Sequence, residues 1–377
     1  MKMKKKLNYI LISVFLVHLA DYIYIPILPI LLSKSQNLSY RQIGFLIGIG
    51  SIFYQLSSLI CGFLSDKIGK KIILITGIFL TSGSLIGYGV SKSYYTLLIF
   101  EILKGLGSGV FPPLLKALIS SLEVDKTSAF AKRGIMANMG VALGGLVPLL
   151  FTNLAFPIYF LISALIYGLI LIFVFKLPNT KYYRTNLSFS QLVHNRKFIY
   201  LNLFAFIIWA LYIQLRVILP LKVANIRMVG LIFTLTSSFV IITQKFIAQN
   251  VIKKIPYRTS LSIGVISFGI GLLLMGQVKS FILLLLSSLI FIIGEMFIAP
   301  SLDALTSKFA KEEITGAYYS VSHLSFGLGS AFGSWFSGEL VQHFGINNYL
   351  PWLILFIMAI LTSVIIHLSK SKLTLLL

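Results

Sequence analysis

Gly62-Phe63-Leu64-Ser65-Asp66-Lys67-Ile68-Gly69-Lys70-Lys71 is a short polar turn set between two long apolar runs, residues 42–62 and 72–90. Each run has about the 20 residues that an α-helix needs to cross a hydrocarbon core of about 30 Å. Two such runs joined by so short a turn read as a membrane hairpin. The chain on either side of it reads the same way.

Working outward, the apolar spans fall at 7–32, 42–62, 72–90, 94–119, 133–152, 155–176, 198–220, 229–250, 259–277, 280–301, 315–338 and 347–368, twelve in all. The composition agrees, with 57% hydrophobic residues, 11% charged residues and a mean hydropathy of +0.94, where soluble domains carry about 25% charged residues. The sequence therefore predicts an all-α integral membrane protein. Its first span follows Met1-Lys2-Met3-Lys4-Lys5-Lys6 as a cleaved leader would, but it is too long, lacks a small-residue cleavage site and contains Asp21, Pro26 and Pro29. It is read as a retained helix.

A net charge of +22 raises the question of nucleic acid. Sorting the 32 Lys and Arg by the loops that the spans define puts 22 on the side of the N-terminus, 6 on the other side and 4 within helices. That asymmetry is the positive-inside pattern of a membrane protein with both termini in the cytoplasm and basic loops against lipid headgroups. It excludes a nucleic-acid partner. Cys61 is the single cysteine, so no intrachain disulfide is expected.

The longest polar interruption, 177–197, separates a six-helix bundle at 1–176 from a second at 198–377 and reads as a cytoplasmic linker. Sliding the chain by 187 positions lays Lys67 on Lys254, Lys71 on Arg258, Gly77 on Gly264, Gly107 on Gly294, Pro113 on Pro300 and Gly140 on Gly327. Small shifts add Gly44 on Gly230 and Pro157 on Pro351. Two six-helix repeats enter the membrane from the same side, so they are related by an axis along the membrane normal, with a substrate site expected between them.

The hairpin turn resembles the signature of the major facilitator superfamily: Gly, three residues, Asp, a base, any residue, Gly and two bases. Every signature position matches, and the resemblance extends over essentially the whole chain. It implies a secondary transporter working by alternating access, and it implies a conformational latch at Gly62, Asp66, Lys67, Gly69, Lys70 and Lys71. Lys116, near the same end of the fourth helix, is expected to pair with Asp66 in one state. In the second repeat Gln249 and Lys253 stand where the Gly and Asp would be, so that latch is degenerate.

Of ten acids, Asp21, Glu101, Glu295 and Glu339 fall within predicted helices. An ionisable group at depth costs at least about 2.5 kcal/mol, so it faces a partner or a transport path. Glu339 sits at a helix end within reach of water. Glu101 and Lys104 are spaced i, i+3 and are expected either to neutralise each other or to face the path. Asp21 precedes Pro26 and Pro29 in a layout that resembles the first helix of bacterial tetracycline exporters, and Gly294-Glu295-Met296-Phe297-Ile298-Ala299-Pro300 resembles the tenth helix of proton-coupled multidrug exporters. The resemblance makes Asp21, Glu295 and Glu101 proton-coupling candidates. Lys104, Arg216, Tyr212, Gln214 and His323 are candidates for the substrate cavity, His323 also fitting a packing role. Two family features are missing: the fourth helix has no Arg before its glycines, and Gly145 stands where many antiporters have Pro after Gly144.

There is no Walker phosphate loop, catalytic triad spacing or metal-ligand cluster, so the expected protein is not an enzyme and needs no cofactor or metal. Its expected partners are membrane lipids, protons and a small-molecule substrate, and a monomer is the family default. The resemblance implies a bacterial cytoplasmic membrane and proton-coupled efflux of amphipathic drugs or cations. Transport of one specific solute, such as a metallophore, lipid precursor or sugar, and a non-transporting scaffold or sensor on the same fold are the alternatives.

Overall fold

The computed structural model describes residues 2–120, 122, 126–151, 153–177, 195–278, 280–309 and 315–368. The described residues form α1 (Lys2–Tyr24), α2 (Leu28–Gln36), α3 (Tyr40–Ile68), α4 (Lys70–Val90), α5 (Tyr94–Ser108), α6 (Phe111–Ser120), α7 (Lys126–Leu150) and α8 (Phe156–Val174). They continue with α9 (Arg196–Tyr212), α10 (Gln214–Val223), α11 (Ile226–Asn250), α12 (Tyr257–Gln277), α13 (Phe281–Phe309), α14 (Thr315–Phe344) and α15 (Leu350–Leu368). Among the described residues there is no strand.

These helices make the twelve expected segments, three of them as broken pairs. α1 and α2 are parted by a 3-10 turn at Ile25–Ile27, where Pro26 has no N–H for the carbonyl of Tyr22. α5 and α6 part at Gly109 and Val110, and α9 and α10 part at Ile213. Helix also outruns hydropathy: α7 begins at Lys126 and α13 continues to Phe309, beyond the ends set by the apolar runs. Eleven segments among the described residues are long and apolar enough to cross a membrane. The other, α14, has 30 residues, and its hydropathy is diluted by the glycines and serines between Ser322 and Gly338.

The chain divides into two compact units, Met1–Thr185 with Val223–Ser238, and Asn186–Lys222 with Phe239–Leu377. In the first, α1 packs on α7 and α8, α4 on α5 and α8, and α3 on α5. The start of α11 joins this unit, where Thr234 Oγ1 donates to the carbonyl of Ala142 at 3.0 Å. In the second, α12 packs on α13 and α15, and α9 on α14. The linker expected at 177–197 falls largely outside the described residues.

The sequence repeat is also a repeat of packing. A Cβ on Gly77 of α4 would stand 2.9 Å from the carbonyl oxygen of Gly107 on α5, and one on Gly107 would stand 3.0 Å from that of Gly77. Their counterparts Gly264 on α12 and Gly294 on α13 meet in the same way, at 2.8 and 2.5 Å. Backbones this close leave no room for a methyl group, so each unit depends on glycine at the same two places.

Gly69 serves a different purpose. It ends α3 and starts α4 with φ +97° and ψ 139°, and its N–H donates to Ser65 O at 3.0 Å. Nothing lies within 4 Å of where its Cβ would be, so the demand is for backbone conformation and not for space. Gly69→Ala is expected to destabilise the protein by about 1–3 kcal/mol, while Gly83→Ala, on an open face of α4, leaves it unchanged or slightly more stable. Thermal unfolding in detergent compares the two, and equal melting temperatures would remove the conformational argument.

Candidate functional site

In the first unit, α5 points Glu101 and Lys104 into the protein, where they are 4% and 8% exposed. Lys104 Nζ lies 2.6 Å from Glu101 Oε2 and stands over the rings of Tyr24 at 5.2 Å and Tyr88 at 5.4 Å. Gly50 of α3 leaves the space for the carboxylate, since a Cβ there would overlap Glu101 Oε1. The ammonium is thus held by one carboxylate and two aromatic faces. The i, i+3 spacing predicts this ion pair, and the structure forms it.

Asp21 lies on α1 near this pair but in a different setting. It is partly exposed, and the hydroxyl of Tyr167 on α8 donates to its Oδ1 at 2.7 Å. Tyr24, 1% exposed, is close enough to feel both Asp21 and Glu101. One carboxylate is therefore neutralised by a buried base, and the other is bound by a phenol and remains accessible. Tyr24, Tyr88 and Tyr167 escape a reading of the sequence alone, because a tyrosine in an apolar run carries no mark of the partner its hydroxyl will find.

In the second unit, α13 places Glu295 beside Tyr212 at the end of α9. The Tyr212 hydroxyl donates to the Glu295 carboxylate, and Arg216 on α10 acts on the same carboxylate. Arg216 reaches the Tyr212 hydroxyl at 3.5 Å and covers its ring at 5.5 Å. Tyr212 is itself fixed by Trp209, Phe268, Phe291 and Phe326, with ring centroids at 5.3, 6.1, 6.4 and 6.4 Å. The break at Ile213 turns the chain so that Tyr212 and Arg216 both address Glu295.

Gln214 goes elsewhere. It is 0% exposed, and its amide donates to Ala210 O at 2.7 Å and Gly333 O at 3.1 Å, while Ser337 donates to its oxygen. Both ends of the side chain thus staple the α9–α10 break to α14, which places Gln214 in packing and not in a cavity. His323 is exposed on α14. In the expected latch, the side chains of Gly62, Asp66 and Lys67 lie outside the described residues. Lys71 donates to Phe175 O at 2.6 Å, where it caps the end of α8. Lys70 and Lys116 are half-buried.

The family model of the Major Facilitator Superfamily matches residues 10–227 and 204–374. The chain belongs to this superfamily. It is therefore a multi-pass membrane transporter of a small-molecule substrate and not an enzyme. Among major facilitator relatives, the transporter YqjV of Bacillus subtilis (strain 168) is 26% identical over 89% of this chain and 86% of its own. The multidrug resistance protein MdtH of Blochmanniella floridana is 25% identical over 97% of this chain and 95% of its own. The crystal structure of a POT family transporter in complex with 5-aminolevulinic acid superposes with a TM-score of 0.83 over 98% of this chain and 96% of that one, at 16% identity, a likeness of fold alone.

A buried pair that loses one partner leaves the other charge stranded. Lys104→Met is expected to destabilise this major facilitator protein by about 3–5 kcal/mol, and Glu101→Gln combined with Lys104→Met is expected to recover most of the loss. Unfolding in detergent reads both, and a single variant as stable as the parent would show the pair to be unimportant.

Proposed function

We propose that the protein is a proton-coupled exporter of amphipathic drugs or cations that works by alternating access. The observation that carries this reading is Glu295, a carboxylate within a membrane segment that accepts from the Tyr212 hydroxyl with Arg216 beside it. A carboxylate so held can exchange a proton and, when ionised, attract a cation beside the rings of Trp209 and Phe326. The full-length likeness to MdtH, named for multidrug resistance, supports the same reading. Lys104 does not compete as an anion site, because Glu101 already occupies its charge.

In this proposal the bundles 1–176 and 198–377 move about the linker 177–197, and Gly62, Asp66, Lys67, Gly69, Lys70, Lys71 and Lys116 latch one end. Both termini face the cytoplasm, the side that receives 22 of the 32 bases. One proton entering through about 100 mV and one pH unit supplies roughly 2.3 plus 1.4 kcal/mol. That sustains a gradient of a few hundred-fold, on the order of tenfold per 1.4 kcal/mol, for a neutral substrate.

The test uses inside-out vesicles under an imposed pH gradient, with proton release followed as lipophilic cations, anions and zwitterions are added in turn. Release by several cations, reduced about 10²-fold by Glu295→Gln, is the expected result. Release by a single anionic or zwitterionic solute alone would replace this reading with transport of one specific solute.

A further inference from the structure

We infer that the groove between the basic ends of α1 and α7 binds one anionic phospholipid, with its phosphate at Lys132 and Lys5 and one acyl chain along the groove. The site concerns the lipid around the protein and is independent of the proton coupling proposed above. Its form comes from the way the two helices cross. A Cβ on Gly140 of α7 would stand 2.5 Å from the carbonyl oxygen of Phe15 on α1, and one on Gly144 would stand 2.9 Å from that of Leu19. The contacts advance together along both helices, so the two run parallel and their starts lie at one end. Toward that end they part. A cleft of about 380 Å³ opens there, lined by Asn8, Leu11 and Ile12 of α1 and by Lys132, Ile135 and Met136 of α7. Small-molecule sites enclose about 300–1,000 Å³.

The lining is sorted by depth. The stretches apolar enough to cross a membrane begin at Lys5 in the first segment and at Lys132 in α7, which puts both lysines at headgroup level, where their long side chains reach phosphate. Asn8 follows Lys5 by three residues, and Leu11 and Ile12 follow Asn8 by three and four, so these residues share one face of α1. On α7, Ile135 and Met136 follow Lys132 by the same spacings. Leu11, 7% exposed, makes the floor of the slot, and Ile135, 50% exposed, stands open on its rim. A basic mouth over an apolar slot complements an anionic headgroup joined to a hydrocarbon chain.

Charge decides between possible occupants. No acid occurs from Met1 to Ala20 or from Lys126 to Leu150, and Asp21 is roughly 14 Å further along α1 than Ile12. Lys5 and Lys132 are both exposed. The amphipathic cations proposed above as substrates would be repelled here, and a zwitterionic headgroup would bring its own cation to the same bases. A lipid with net negative charge gains about fivefold in affinity from each base near the membrane surface.

The test is native mass spectrometry of the purified full-length protein in detergent, offered equal amounts of phosphatidylglycerol and phosphatidylcholine with the same acyl chains. The parent is expected to retain phosphatidylglycerol over phosphatidylcholine by at least about tenfold, and Lys132→Glu to cut that preference at least about fivefold. Lys132→Gln repeats the measurement should the charge reversal lower the melting temperature. Met136→Trp, which fills the slot and leaves the charges, is expected to lower retention of phosphatidylglycerol by a similar factor. Lys254→Glu, at an exposed base of the second unit, is expected to change neither quantity. A parent without preference, a preference unchanged by either substitution of Lys132, or retention unchanged by Met136→Trp would overturn the inference. An equal loss in Lys254→Glu would overturn it by showing an effect of general surface charge. Displacement of the lipid by inorganic phosphate at the same concentration would overturn it too, since the site would then serve a free anion and make no use of the chain.

Discussion

Within hydrocarbon a charge has no water to solvate it and a backbone amide has no second partner, so polar groups at depth look for partners within the protein. The backbone meets the constraint by becoming helix almost everywhere it is described, and at one break between helices a side chain serves the backbone carbonyls. Gln214 does so at the α9–α10 break by reaching back to Ala210 and across to Gly333.

Glu101 and Lys104 answer each other directly and are sealed by Tyr24 and Tyr88. A proton brought to Glu101 from outside would leave the Lys104 charge stranded, so the pair is suited to holding α5 in place. Asp21 accepts from the phenol of Tyr167, and Glu295 from that of Tyr212 with the Arg216 guanidinium acting on the same carboxylate. A phenol donates to a carboxylate and can turn to accept from a carboxylic acid, so the contact survives both protonation states. In the proposed function the partly exposed Asp21 and Glu295 are the groups that exchange, and each unit holds one of them.

Much of this was legible in the chain. Apolar runs located the twelve segments, and the 187-residue offset found the glycine pairs that meet backbone to backbone in each unit. The Glu101–Lys104 pair followed from spacing along one helix. Contacts between helices distant in sequence were not legible. Tyr167 reaches Asp21 across 146 residues, and no local pattern announces that. Gln214, with its polar side chain amid apolar neighbours, reads as a cavity residue until Gly333 and Ser337 are seen to use it.

The central claim is that two carboxyls at depth exchange protons while a third is locked. Infrared difference spectroscopy in the carboxylic acid C=O region, recorded as pH is stepped on the reconstituted protein, tests it most directly. The account predicts two titrating bands, one lost in Asp21→Asn and the other in Glu295→Gln, both retained when Glu101→Gln is combined with Lys104→Met. A titrating band that survives both single variants and disappears only with Glu101 would contradict it.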